Sequence, residues 1–142
     1  MSRDAEYLAE IRLAWRQNRL ESIAEFADLD LQRRSWSGGV DYGSPCWSFI
    51  EWMCRYFDDY SLSAGHAVFI ADGLMSHAEA DAVREFHAAA EAYKAPGGND
   101  HDHAAILSDP AWLNVVSLAD NARRRLLAIL DDPSERPLLE RE

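Results

Sequence analysis

Ser44-Pro45-Cys46-Trp47-Ser48-Phe49-Ile50-Glu51-Trp52-Met53-Cys54-Arg55-Tyr56-Phe57-Asp58-Asp59 reads as a helix that is apolar on nearly every side. Between Pro45 and the closing Asp59, its polar positions are Ser48, Glu51, Arg55 and Asp58, which recur every three or four residues and so share one narrow helix face. Ser44 fits an N-cap and Pro45 a first helical position, where a missing N–H costs nothing. A helix with so little polar circumference must be covered by several neighbours. The stretch therefore predicts an all-α fold: a single irregular helical bundle of about five helices packed around residues 45–58.

The flanking sequence supplies the neighbours. Leu8, Ile11, Ala14 and Trp15 recur at helical spacing, the phase slips at Gln17-Asn18-Arg19, and Leu20, Ile23, Ala24 and Ala27 resume it. This predicts a kinked or divided first helix ending near Ala27. Leu29 and Leu31 alternate with Asp28, Asp30 and Gln32, the pattern of an extended connector anchored by two leucines. Residues 35–45 form a glycine-rich loop carrying Trp36 and Tyr42. The apolar run His66 to Ile70 lies between Gly65 and Gly73 and, lacking a partner strand, is read as helix. Ser76-His77-Ala78-Glu79 is a capping box that opens a helix to about Tyr93, with Val83, Phe86, Ala90 and Tyr93 on its buried face. Ala95-Pro96-Gly97-Gly98 stops it. A short helical turn spans His103 to Leu107. Asp109-Pro110 begins the last helix, whose continuous apolar face runs from Trp112 to Leu130. Residues 134–142 read as a polar tail with Leu138 and Leu139 as anchors. No repeat and no internal boundary divides the chain, so residues 1–142 are expected to form one domain.

The chain has 142 residues, 14 basic against 25 acidic side chains, and a formal charge of −11. So acidic a surface repels nucleic-acid phosphates and anionic lipid headgroups, and it suits a basic protein partner. Arg123-Arg124-Arg125 does not change this, because a helix spreads three consecutive residues around its axis. No apolar run reaches membrane-spanning length. Cys46 and Cys54, eight positions apart on one helix, lie roughly 12 Å apart, too far for a disulfide. They are expected to be small buried hydrophobes. Free thiols and no export signal point to the cytoplasm, and an Arg-dominated, Ala-rich composition to a bacterial source.

Chemistry has three candidate locations. Glu51 and Arg55 are spaced for an i, i+4 ion pair, and with Asp58 they would make a weak catalytic set if Trp47, Trp52 and Tyr56 enclosed them. His101 and His103 carry metal-ligand chemistry, but they supply at most part of a ligand set and would need Asp58, Asp59 or His66. His77 with Asp81, and His87 with Glu91, lie four apart and are neighbours on a helix surface. No Glu-x-x-His, phosphate loop, nucleotide fingerprint, nucleophile elbow or Cys-x-x-Cys is present. No cofactor is expected. Small size, acidity and helicity are shared with many toxin-immunity proteins and antitoxins, a compositional likeness that carries over no residues. The leading expectation is a non-catalytic protein-binding module. Its partner-facing residues would be Glu79, Asp81, Glu85, Asp100 and Asp102, with Trp36 and Tyr42 as aromatic contacts. The alternative is a small-molecule or metal-dependent enzyme using the polar stripe of the central helix.

Overall fold

The computed structural model describes residues 3–36, 48–59 and 66–140. Their order is α1 (Arg3–Phe26), α2 (Leu29–Trp36), α3 (Phe49–Cys54) running into a π turn (Arg55–Asp59), α4 (Ala67–Ala71), α5 (His77–Ala92), a 3-10 turn (Pro96–Gly98), α6 (His103–Leu107), α7 (Pro110–Ile129) and α8 (Arg136–Leu139). No strand occurs among the described residues. The fold is an all-α bundle with an aromatic core.

The most extensive packing is between α5 and α7 and between α1 and α7. Phe26, the last residue of α1, is the hub of the rings. Its centroid lies 5.8 Å from Trp52, 5.7 Å from Tyr56, 5.5 Å from Phe86 and 6.0 Å from Trp112. The contacts with Trp52, Tyr56 and Trp112 are edge-on, the geometry that ring quadrupoles favour. From the quoted stretch, Phe49, Trp52 and Tyr56 are buried, while Ile50, Met53 and Phe57 pack at the margin of the core. Ser48 caps α3 by accepting the Glu51 N–H at 3.1 Å. The start expected at Ser44 and Pro45 lies outside the described residues, as do Tyr42, Cys46 and Trp47. Cys54 is exposed rather than buried, because the core takes the 49, 52 and 56 face of this helix.

Two other expectations change. α1 is one helix from Arg3 to Phe26, so the slip in its pattern marks a change of surroundings rather than a break. Every residue from 3 to 14 is exposed, whereas Arg19, Leu20, Ser22, Ile23, Ala24 and Phe26 are buried. The alternating stretch after Asp28 is helix α2, not an extended connector. Asp28 accepts the Leu31 N–H at 3.0 Å and starts it, a cap signal that outweighs the short alternation from Asp28 to Gln32. Gln32 is fully buried on α2. Its amide donates to the carbonyls of Phe26 and Glu25 at 2.9 and 3.2 Å and accepts the Trp112 indole N–H at 2.9 Å. One side chain thus satisfies the end of α1 and joins it to α7.

Local rules hold in the second half. Ser76 and Glu79 form both bonds of the capping box. Asp102 caps α6, and Asp109 caps α7 ahead of Pro110. Gly97 and Gly98 take φ of 64° and 72°, which makes the turn after α5 open to glycine. The basic triplet is partly neutralised, with Arg123 and Arg124 both on Asp120. The segment after Ser134 is docked through Leu139, one of the two leucines expected to anchor it, and through Glu135, which the sequence did not single out; both are buried.

Candidate functional site

The densest polar chemistry lies inside the bundle, where α1, the π turn, the start of α4 and α5 meet. Arg16 and Arg19, about one turn apart on α1, have opposite fates. Arg16 reaches two carboxylates and a carbonyl. Its Nε donates to Glu135 at 2.7 Å, Nη2 donates to the other Glu135 oxygen at 3.0 Å, Nη1 lies 3.3 Å from Glu79, and Nη1 also donates to the Leu74 carbonyl. The Glu135 bonds raise its pKa above the ordinary guanidinium value. Arg19 is 1% exposed, and its Nε and Nη2 have no hydrogen-bond partner. Burial lowers its pKa, opposed by the charges of Glu79 and Glu135.

Beside Arg19, the Tyr56 hydroxyl lies 3.2 Å from His87 Nδ1, and His87 Nε2 lies 3.4 Å from Glu91. Burial pushes the Tyr56 phenol up to about 12, so it keeps its proton. With that proton given to Nδ1, His87 carries its own on Nε2 and directs it at Glu91. The His66 ring lies 4.6 Å from the His87 ring, and its Nε2 is buried without a partner. Burial holds His66 down at about 4, helped by the charges of His87, Arg19 and Arg84. His87 is also lowered by burial, with Glu91 opposing. The cluster brings a guanidinium, a phenol and two imidazoles together inside the bundle.

The expected catalytic stripe is not assembled. Arg55 pairs with Glu25 of α1 rather than with Glu51, because the chain widens into the π turn at Arg55 and the arginine meets α1 there. Glu51 is half-buried on α3, and the Asp58 side chain lies outside the described residues. His103 is a clip. Its Nδ1–H donates to the Trp36 carbonyl at 2.7 Å and its Nε2 faces the Phe49 N–H at 3.5 Å. It holds the end of α2 to the start of α3, and both nitrogens are taken. His101 and His103 border a groove of about 580 Å³ with Trp36 and Arg33. His66, considered as a further ligand for them, is against His87 instead. Among the described residues, no three His, Cys, Asp or Glu side chains are close enough to hold a metal.

Of the acids assigned to a partner, Asp81, Glu85, Asp100 and Asp102 are exposed. Glu79 is buried, since it closes the capping box and meets Arg16, so it presents nothing to a partner. Trp36 is also buried, ringed by Phe49, Trp52 and Trp112. Sequence reasoning missed Arg19, Tyr56 and Glu135. One signal was present: Arg19 occupies the position between Trp15 and Ile23 where the helical stripe calls for an apolar residue.

Comparison with protein-family models, with curated proteins and with solved structures finds no match to this chain. No helix among the described residues is long and apolar enough to cross a membrane.

Proposed function

We propose that the protein is a non-catalytic module that binds a basic protein through the free face of α1. The observation that carries this reading is the exposure of that helix's first half. Tyr7, Leu8 and Ile11 are 64, 58 and 46% exposed, although the same helix enters the core eight residues later. At 100° per residue they share one face with Ala14 and Trp15. Helical propensity gives little reason for a globular domain to leave such a stripe in water, and a groove on a partner would cover it. Trp15 stacks on Phe69 at 4.6 Å, and the neighbouring Val68 of α4 is exposed.

Charge favours a basic occupant. Asp4, Glu6 and Glu10 lie on the exposed turns, and the chain as a whole carries −11. Asp81, Glu85, Asp100 and Asp102 add to the field that would steer the partner in, while Tyr7, Leu8 and Ile11 would supply affinity. An immunity or antitoxin-type inhibitor of a basic toxin, in bacterial cytoplasm, is the form of the reading that size and composition favour.

The test uses wild type and Tyr7→Ser/Leu8→Ser/Ile11→Ser as baits. These positions are solvent-exposed, and circular dichroism checks that the variant remains helical. A basic protein retained by wild type alone, with an on-rate that falls steeply between about 0.05 and 0.5 M salt, supports the proposal. Retention unaffected by the triple substitution overturns it. Salt-independent association, or self-association through this face in sedimentation, also overturns it.

A further inference from the structure

We propose that Arg19, His66 and the Tyr56–His87 pair form a receptor for a small oxyanion, a carboxylate or a phosphate group. The argument starts from the unmet edge of Arg19. Nε–H and Nη2–H point from the same side of the planar guanidinium, the edge that takes two oxygens of one carboxylate or phosphate in parallel bonds. Both nitrogens are buried without a partner. A buried donor left unmet destabilises the fold, and a buried charge does so more strongly. The Trp15 ring, 5.8 Å from the guanidinium carbon, and the charges of Glu79 and Glu135 offset part of that cost, but none of them accepts a hydrogen bond from the free edge.

Among the described acids, Glu79 and Glu135 pair with Arg16, which donates to both oxygens of Glu135; Glu79 Oε2 is itself buried without a hydrogen-bond partner, and neither acid reaches the free edge of Arg19. His66 Nε2 is a second buried nitrogen without a partner, while the Tyr56 proton is already committed to His87 Nδ1. His66 and His87 are half-buried and lie ring against ring, so they are the more exposed members of the cluster. Among the described residues, the groups whose charges act on Arg19 and the two imidazoles are Tyr56, Glu79, Arg16, Glu135, Arg84 and Glu91. An entering anion would draw protons onto both imidazoles, since it reverses the field that now disfavours their charged forms.

Thermal melts in oxyanion-free Bis-Tris buffer test the assignment. Sodium phosphate and sodium acetate are titrated separately against sodium chloride at equal ionic strength. The wild-type Tm should rise saturably in one of them, by about 3–5 °C at ten times Kd. The one that acts identifies phosphate or carboxylate as the source. Arg19→Met should fold, melt no lower than wild type without anion, and lose the response. Arg19→Lys keeps the charge without the two-pronged edge and should bind at least tenfold more weakly. In NMR spectra the His66 and His87 ring signals should move on titration of wild type and stay fixed in Arg19→Met. A flat response to both anions, as an internal water at Arg19 would give, overturns the proposal, and so does an undiminished response in Arg19→Met.

Discussion

Glu135 closes on Arg16 across 119 residues of chain, with both carboxylate oxygens engaged at 2.7 and 3.0 Å. The contact fastens the C-terminal segment to the middle of α1. It also explains why a segment that looks polar in sequence is docked. Glu135→Ala leaves Arg16 with Glu79 and the Leu74 carbonyl, and the Nε and Nη2 edge of a mostly buried guanidinium unmet. We expect a loss of roughly 2–4 kcal/mol in urea melts, below the fully buried limit because Arg16 is partly exposed. The double variant Arg16→Met/Glu135→Met should lose less than the sum of the two single changes, since both remove one interaction.

Gln32 makes a sharper prediction because each of its three bonds has a different partner. Gln32→Leu keeps much of the volume but strands the Trp112 indole N–H and uncovers the carbonyls of Glu25 and Phe26. About 2–4 kcal/mol should be lost in thermal or urea melts, more than an apolar swap in the same core would lose. Gln32→Glu should recover little, because its carboxylate accepts from Trp112 but cannot donate to the carbonyls. A loss below about 1 kcal/mol in both variants would show that Gln32 does not bolt α1 to α7.

The ring contacts rank the aromatic residues. Phe26 touches four other rings, and Phe49 meets Trp36, Tyr93 and Trp112. Phe57 sits at the edge, against Tyr56 and His87. Phe26→Ala and Phe49→Ala should each cost roughly 3–5 kcal/mol in denaturant melts, and Phe57→Ala about 1–2 kcal/mol. Equal losses at Phe49 and Phe57 would place the core symmetrically about α3, contrary to the packing.

Local punctuation was legible in the sequence: Ser76 with Glu79, Asp102, Asp109 with Pro110, and the glycines after Pro96 each encode a boundary through bonds within four residues. The apolar face of α7 was legible for the same reason, since a period of 3.6 repeated over five turns is difficult to mistake. Long-range partners were not. Glu51 and Arg55 have ideal spacing, yet Arg55 turns to Glu25, whose proximity depends on how α1 crosses α3. Glu135 looked like one more charge in a polar tail because nothing nearby in sequence reveals Arg16. Leu8 and Ile11 carry a core-like pattern, and only the assembled fold shows that none of the described residues covers them. The polar centre was the least legible element, because Arg19, Tyr56, His66 and His87 come from four separate segments.

The two imidazoles set the response of the fold to acid. His66 is held at about 4 against an ordinary 6.5, and His87 is lowered in the same direction. A histidine whose folded pKa lies below its unfolded value is favoured neutral by the fold. Its contribution is therefore complete above about pH 6.5 and is lost as pH falls toward the folded value, because the unfolded chain binds the extra proton first. In oxyanion-free buffer the urea midpoint should be nearly flat from pH 8 to 7, then decline from about pH 6.5 to 4.5. His66→Leu removes one proton taken up on unfolding and should make that slope shallower, with His87 contributing in the same direction. Arg19, Arg84 and Glu91 stay in place in this variant, so the change in slope reports the His66 proton itself. A midpoint that rises on acidification across this window, or a full slope retained in His66→Leu, would show that the buried ring pair does not govern acid stability.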